Sequence, residues 1–129
     1  MKGEPKAVKA KFGQLIRSPM AQFPKAGERL EVPRLQGVYI VYDPNGRVAH
    51  VGRTVRGKGG LHQRLSNHMQ GKSSFVVKSL GGKGSVLRGR YKYRFIVVEG
   101  NYRLRAFLEA FAIGQLCPGH IGDGALLSE

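Results

Sequence analysis

The stretch from Gly37 to Gly52 leaves the fewest choices for folding. Gly37-Val38-Tyr39-Ile40-Val41-Tyr42 is a β-branched and aromatic run, and such residues fit the pleated surface of a sheet. Asp43-Pro44-Asn45-Gly46 follows, with Asp, Pro and Gly at the first, second and fourth positions that a type I turn favours. Arg47 to Gly52 then returns as a second strand, so 37–52 predicts a β-hairpin. With the turn centred on Pro44-Asn45, Tyr39 is expected directly opposite His50, close enough for a phenol and an imidazole to share a proton. The same pair is also an ordinary aromatic contact within a sheet.

Helical signals come next. Leu61, Leu65 and Met69 are four apart and predict a helix over 60–70, opened by the Gly-rich basic loop Thr54 to Gly60. Ser73 or Ser74 is suited to cap a short helix running to Leu80, which the Gly81-Gly82 pair would end. Residues 81–90 read as a basic loop, Tyr91 to Val98 as a third strand, and 102–116 as a last helix capped by Asn101. Leu104, Phe107, Leu108 and Phe111 form its apolar stripe. Residues 1–34 read as a basic, Pro-punctuated arm, in which Val8, Phe12, Leu15 and Ile16 have the spacing of a short helix. The expected architecture is therefore α+β: an arm over 1–34, then a domain over 35–129 with a small, three-stranded, mostly antiparallel sheet flanked by helices.

Charge narrows the partners. The chain has 129 residues, enough for one domain, and a formal net charge of +14. From Pro44 to Val98 there is no acidic residue, while that stretch holds 12 Lys/Arg and three of the four histidines. A surface of this sign gathers polyphosphate and releases its counterions, which points to nucleic acid. A membrane partner is not expected: the basic stretch holds no amphipathic helix, and no run nears the roughly 18 apolar residues that span a bilayer. The N-terminus shows no signal-peptide core, and the lone Cys117 allows no internal disulfide, so a reducing, cytoplasmic setting is expected.

Several residues could carry chemistry. Arg64 and His68 lie one helical turn apart, an anion-binding fork beside a group that moves protons near neutral pH. Glu109 sits among Phe107, Leu108, Phe111 and Ile113 and needs a partner. Arg105, one turn earlier, offers an ordinary ion pair; a hard divalent cation held by the carboxylate is the functional alternative. Other motifs fail. Gly71-Lys72-Ser73 lacks the earlier glycine of a phosphate loop, Cys117 and His120 make only half a zinc site, and Cys117 is expected to be an inert buried thiol.

Taken together, Gly37-Val38-Tyr39, His50-Val51-Gly52-Arg53, Arg64 on a helix and Glu109 in a later helix resemble the GIY-YIG nuclease family. His50 stands where the family commonly has a second tyrosine, and His68 is similar to a histidine of the restriction-enzyme branch. The position of a frequent family asparagine is Ile121 here, next to His120. The resemblance implies metal-dependent hydrolysis of phosphodiester bonds, most often in double-stranded DNA, by one Mg²⁺ (or Mn²⁺) on Glu109. Tyr39 would activate the water as base or by orienting it, and His50 or His68 would take up the proton. Arg53 and Arg64 would stabilise charge on the phosphate. A homodimer on DNA would let two such sites cut both strands. Tyr39, His50, Arg64 and Glu109 are then expected on one concave surface. A non-catalytic nucleic-acid-binding module is the alternative that explains the same charge.

Overall fold

The computed structural model describes residues 3–121; the last part of the expected 35–129 domain, 122–129, lies outside the described residues. In chain order the elements are α1 (Glu4–Ile16), β1 (Ala21–Gln22), β2 (Gly37–Tyr42), β3 (Val48–Arg53), α2 (Gly60–Met69), α3 (Ser74–Ser79), β4 (Lys92–Val97) and α4 (Tyr102–Leu116), with a 3₁₀ turn at Gly84–Leu87. The class is α+β, as the sequence predicts. The sheet is antiparallel throughout and has a fourth strand, in the order β1-β4-β2-β3.

The central strand β2 explains why its sequence is an unbroken apolar run. Helices cover both of its faces, so alternate side chains enter two separate cores rather than one core and water. Tyr39 and Val41 pack with Leu61 and Leu65 of α2, Phe75 and Val76 of α3, and Leu87. Val38 and Ile40 pack with Leu15 of α1 and with Leu108 and Ala112 of α4. Gly37 has no room for a side chain, because a Cβ there would collide with the Ile96 carbonyl on β4.

Residues 1–34, expected as an arm, are built into this fold. α1 lies along α4, with Phe12 edge-on to Phe111 at 5.2 Å between ring centres. β1 pairs with β4 through Ala21–Tyr93 and Gln22–Lys92, and Phe23, Leu30 and Val32 are core residues. Prolines at 19, 24 and 33 interrupt any periodic signal after α1, so contacts with distant elements, among them β4, α4 and the core around α2, order the segment.

The hairpin register differs from the expected one. Tyr39 pairs with Gly52, and His50 pairs with Val41. The turn does contain the expected Asp43–Gly46 bond, at 2.9 Å, but Gly46 takes a left-handed φ of 83° and the strands close one residue later, at Asp43–Arg47. The Asp43 carboxylate accepts from both Asn45 N and Arg47 N and holds this wider turn. A further irregularity between Val41 and Tyr42 completes a two-residue offset. Since the strand period is two, His50 stays on the Tyr39 face.

Helix ends follow the sequence more closely. Ser73 caps α3 by accepting from Val76 N, and Asn101 caps α4 by accepting from Leu104 N. Cys117 ends α4 in the left-handed conformation at φ 47° and is exposed, not buried as expected. No helix among the described residues is long and apolar enough to cross a membrane.

Candidate active site

Tyr39 is the centre of the site. Its ring is fully buried, and its hydroxyl lies against Gly52 on the outermost strand, where a Cβ would collide with the phenol oxygen. Glycine at 52 is thus a packing requirement. Gly52→Ala should cost about 1–3 kcal/mol of stability through overpacking, measurable by urea denaturation. An unchanged midpoint would show that Tyr39 can move aside.

The tyrosine's hydrogen-bond partner is His68, not His50. Tyr39 Oη is 2.5 Å from His68 Nε2, and His68 Nδ1 is 2.6 Å from Ser73 Oγ. His50 lies 5.9 Å from Tyr39 between ring centres, stacks on Phe75, and instead places its Nδ1 3.1 Å from His120 Nδ1. The offset register moves His50 toward the turn end of the hairpin, while the buried side of α2 brings His68 onto the phenol.

Arg53 and Glu109 form a second group. Arg53 pairs with Val38 in the sheet, so it belongs to the face that α4 covers, and its Nη1 meets Glu109 Oε1 at 3.1 Å. Glu109 therefore pairs with Arg53, not with Arg105. Arg105 is buried and donates to the carbonyls of Thr54, Val55 and Val98, tying the loop after β3 to α4. Of the groups expected on one surface, Tyr39 and Glu109 approach the β3 edge from opposite faces of the sheet, and His50 turns to His120. Tyr39, His50 and His68 lie on one side of the sheet and Arg53 and Glu109 come from the other.

The two groups meet electrostatically at the β3 edge, where Gly52 and Arg53 are consecutive. Burial raises the pKa of Tyr39, the Arg64 guanidinium opposes this by its charge, and the Glu109 charge adds to the rise. Glu109 is itself raised by desolvation, against the lowering effect of Arg53 and Arg64. Arg64, exposed on α2, thus acts on the phenol and on the carboxylate together. Burial lowers His50 to about 2, helped by the charges of His68, His120 and Arg64. His68 is lowered to about 3, again by burial first and then by Arg64 and His120. Both imidazoles are neutral near pH 7, and the phenol keeps its proton.

The site's fit to a metal is specific. Among the described residues no group of three or more His, Cys, Asp or Glu side chains could hold an ion. Glu109 alone fits a Mg²⁺ held jointly with substrate phosphate and water, a mode in which one or two carboxylates suffice. It does not fit a cation caged wholly by protein.

Sequence reasoning missed Ser73 and His120 as partners of the histidines. Ser73 was visible only as a helix cap, and the contact of His120 with His50 links residues 70 positions apart. No protein-family model matches the chain, and no curated protein matches it.

Proposed function

We propose that this chain is a metal-dependent endonuclease of the GIY-YIG kind, hydrolysing phosphodiester bonds in double-stranded DNA. One observation carries the reading: the Tyr39 hydroxyl against Gly52 and the Glu109 carboxylate on Arg53 come to consecutive positions of one edge strand, within the field of the Arg64 charge. An arginine, a polarised hydroxyl and a carboxylate brought together are what phosphoryl hydrolysis needs. Mg²⁺ (or Mn²⁺), when bound at Glu109, supplies the Lewis acidity that polarises the phosphate. Tyr39, which keeps its proton, orients the attacking water rather than deprotonating it. Arg64 stabilises charge gathering on the phosphate oxygens, and Arg53 holds Glu109 in place through their ion pair. A cytoplasmic site of action and pairing of two copies on DNA, so that both strands are cut, belong to the same proposal.

The test is plasmid nicking with Mg²⁺, with and without chelator. Chelator-sensitive nicking supports the reading. Tight DNA binding with no nicking under any divalent ion would overturn it in favour of a non-catalytic binding module. The full burial of Tyr39 and the Arg53–Glu109 pairing are the observations that favour that second reading.

Both readings share a salt dependence. Of the 12 basic residues between Pro44 and Val98, nine are exposed: Arg47, Arg56, Lys58, Arg64, Lys72, Lys78, Lys83, Arg90 and Lys92. With roughly six to ten phosphates neutralised, log affinity should fall against log salt with a slope of about −5 to −9. A fluorescence-anisotropy titration giving a slope near zero would mean that the charge does not serve the DNA backbone.

A further inference from the structure

We propose that a DNA duplex straddles α2, with the helix in its major groove. One strand follows the Arg64 flank of the helix, and the other lies in a basic groove on the opposite flank, lined by Arg29, Arg34 and Arg88. The proposal rests on the reading that the partner is duplex DNA, not on whether the duplex is cut.

An α-helix turns by about 100° per residue, and this sorts the side chains of α2 into four directions. Leu61, Leu65 and His68 are buried against the sheet. Arg64 takes the flank whose charge is felt by Tyr39, His68 and Glu109. His62, Ser66 and Gln70 take the other flank and form one wall of the groove. Arg29, Arg34 and Arg88 form its second wall. His62 N donates to the Pro33 carbonyl at 3.2 Å, which sets Arg34 alongside the helix. Gln63 and Asn67 occupy the crest between the two flanks.

The charge on both flanks is available. Among the described residues no carboxylate pairs with Arg29, Arg34, Arg64 or Arg88. Arg88 uses only Nη1, on the carbonyls of Lys25 and Glu28. The Glu28 carboxylate also lines the groove, where it accepts from Lys25 N at 2.9 Å, and three arginines outweigh it. Cations along one line would hold one strand, whereas cations on both flanks of a helix match two. A helix with its side chains is about 10–12 Å across and the major groove of B-DNA about 12 Å wide, so phosphates of both strands reach the flanks. The strand on the Arg64 flank then passes the candidate active site at the β3 edge. The crest carries amides rather than charges. Gln63 Nε2 donates to Asn67 Oδ1 at 2.9 Å, which leaves Gln63 Oε1 to accept and Asn67 Nδ2 to donate. The major-groove edge of adenine offers the complementary pair, an N6 donor and an N7 acceptor.

Binding of the full chain to short duplexes of mixed sequence, without divalent ion, tests this apart from cleavage. Arg29→Ala with Arg34→Ala changes two exposed side chains and should fold. Duplex affinity should fall about tenfold or more at about 0.1 M salt, and the salt slope should become shallower by about two, for two lost phosphate contacts. Lys6→Ala with Lys9→Ala removes the same charge from exposed positions of α1, on the other face of the sheet, and should lower affinity by less than about threefold. Equal losses in the two variants would reduce the groove to general charge and overturn the proposal. In selection from random duplexes the chain should favour an adenine at one position by about ten- to a hundredfold. Gln63→Ala with Asn67→Ala should abolish that preference while affinity for mixed duplex stays within about twofold. No adenine preference, or one that survives in this variant, takes α2 out of the major groove. A chain that never nicks plasmid yet gives the expected results loses the hydrolase and keeps the docking. A chain that nicks plasmid while Arg29→Ala with Arg34→Ala binds as before keeps the hydrolase and loses the docking.

Discussion

Glu109→Gln should reduce metal-dependent DNA cleavage by about a hundred- to a thousandfold, the scale for losing one group that stabilises the transition state. DNA affinity should stay the same or rise. The carboxamide oxygen of glutamine can still accept from Arg53 Nη1, so the 3.1 Å contact between β3 and α4 survives and only the negative charge is lost. That charge is the feature a cation needs and the feature that repels phosphate. Removing it therefore separates catalysis from binding. Nicking rates and anisotropy measured on the same folded preparation provide the check. Joint loss of cleavage and affinity would assign Glu109 to holding Arg53 in place, and undiminished cleavage would remove it from the site altogether.

Acid should unfold this protein unusually steeply, because His50 and His68 are buried as neutral rings. Their native pKa values, about 2 and about 3, lie far below the 6.5 of an exposed imidazole. The sign follows from proton binding. Below pH 6.5 the unfolded chain takes up protons that the native state refuses, so stability is fully present above that pH and is lost as pH falls toward the native values. Each histidine contributes a slope of about 1.4 kcal/mol per pH unit in this window, and the two together about 2.7. A domain of ordinary stability, about 5–15 kcal/mol, would exhaust much of it before pH 4. Glu109 works the other way: its native pKa is raised, so it favours the native state as pH drops through the range just above 4.5. It offsets part of the slope there without cancelling it. Urea unfolding at a series of pH values from 7.5 to 4 would measure this, and His50→Phe should roughly halve the slope. Flat stability between pH 6.5 and 4.5 would show that the native imidazoles accept protons. Loss of cleavage in acid is then due to unfolding and, just above pH 4.5, to protonation of Glu109. An activity inflection near 6.5 from a proton-accepting His50 is not expected, since that ring is hydrogen-bonded to His120 rather than to Tyr39 and its pKa lies far below that range.

The sequence by itself determined what depends on neighbours in the chain. The hairpin follows from a β-branched run, a turn with Asp, Pro and Gly at fixed offsets, and a second run. α2 follows from Leu61, Leu65 and Met69 at helical spacing, and the starts of α3 and α4 follow from Ser73 and Asn101, whose side chains close the first turn. The acid-free stretch is legible in the same way, because charge needs no fold to be counted. The candidates Tyr39, Arg64 and Glu109 could be singled out for their chemistry and order along the chain.

Only the tertiary structure decided which groups meet. The positive φ of Gly46 and an irregularity after Val41 shift the hairpin by two residues, and this puts Gly52 under the phenol in place of His50. Turn conformations that differ by one residue fit the same four amino acids, so no local rule chooses the register. His68 reaches Tyr39 because α2 lays its apolar side on that face of β2. Arg53 takes Glu109 from Arg105 because Arg105 is already committed to three carbonyls. α1 is ordered by α4, nearly the whole chain away. Each of these outcomes is a competition among long-range contacts, and its energy appears only once the two helical layers have closed on the sheet.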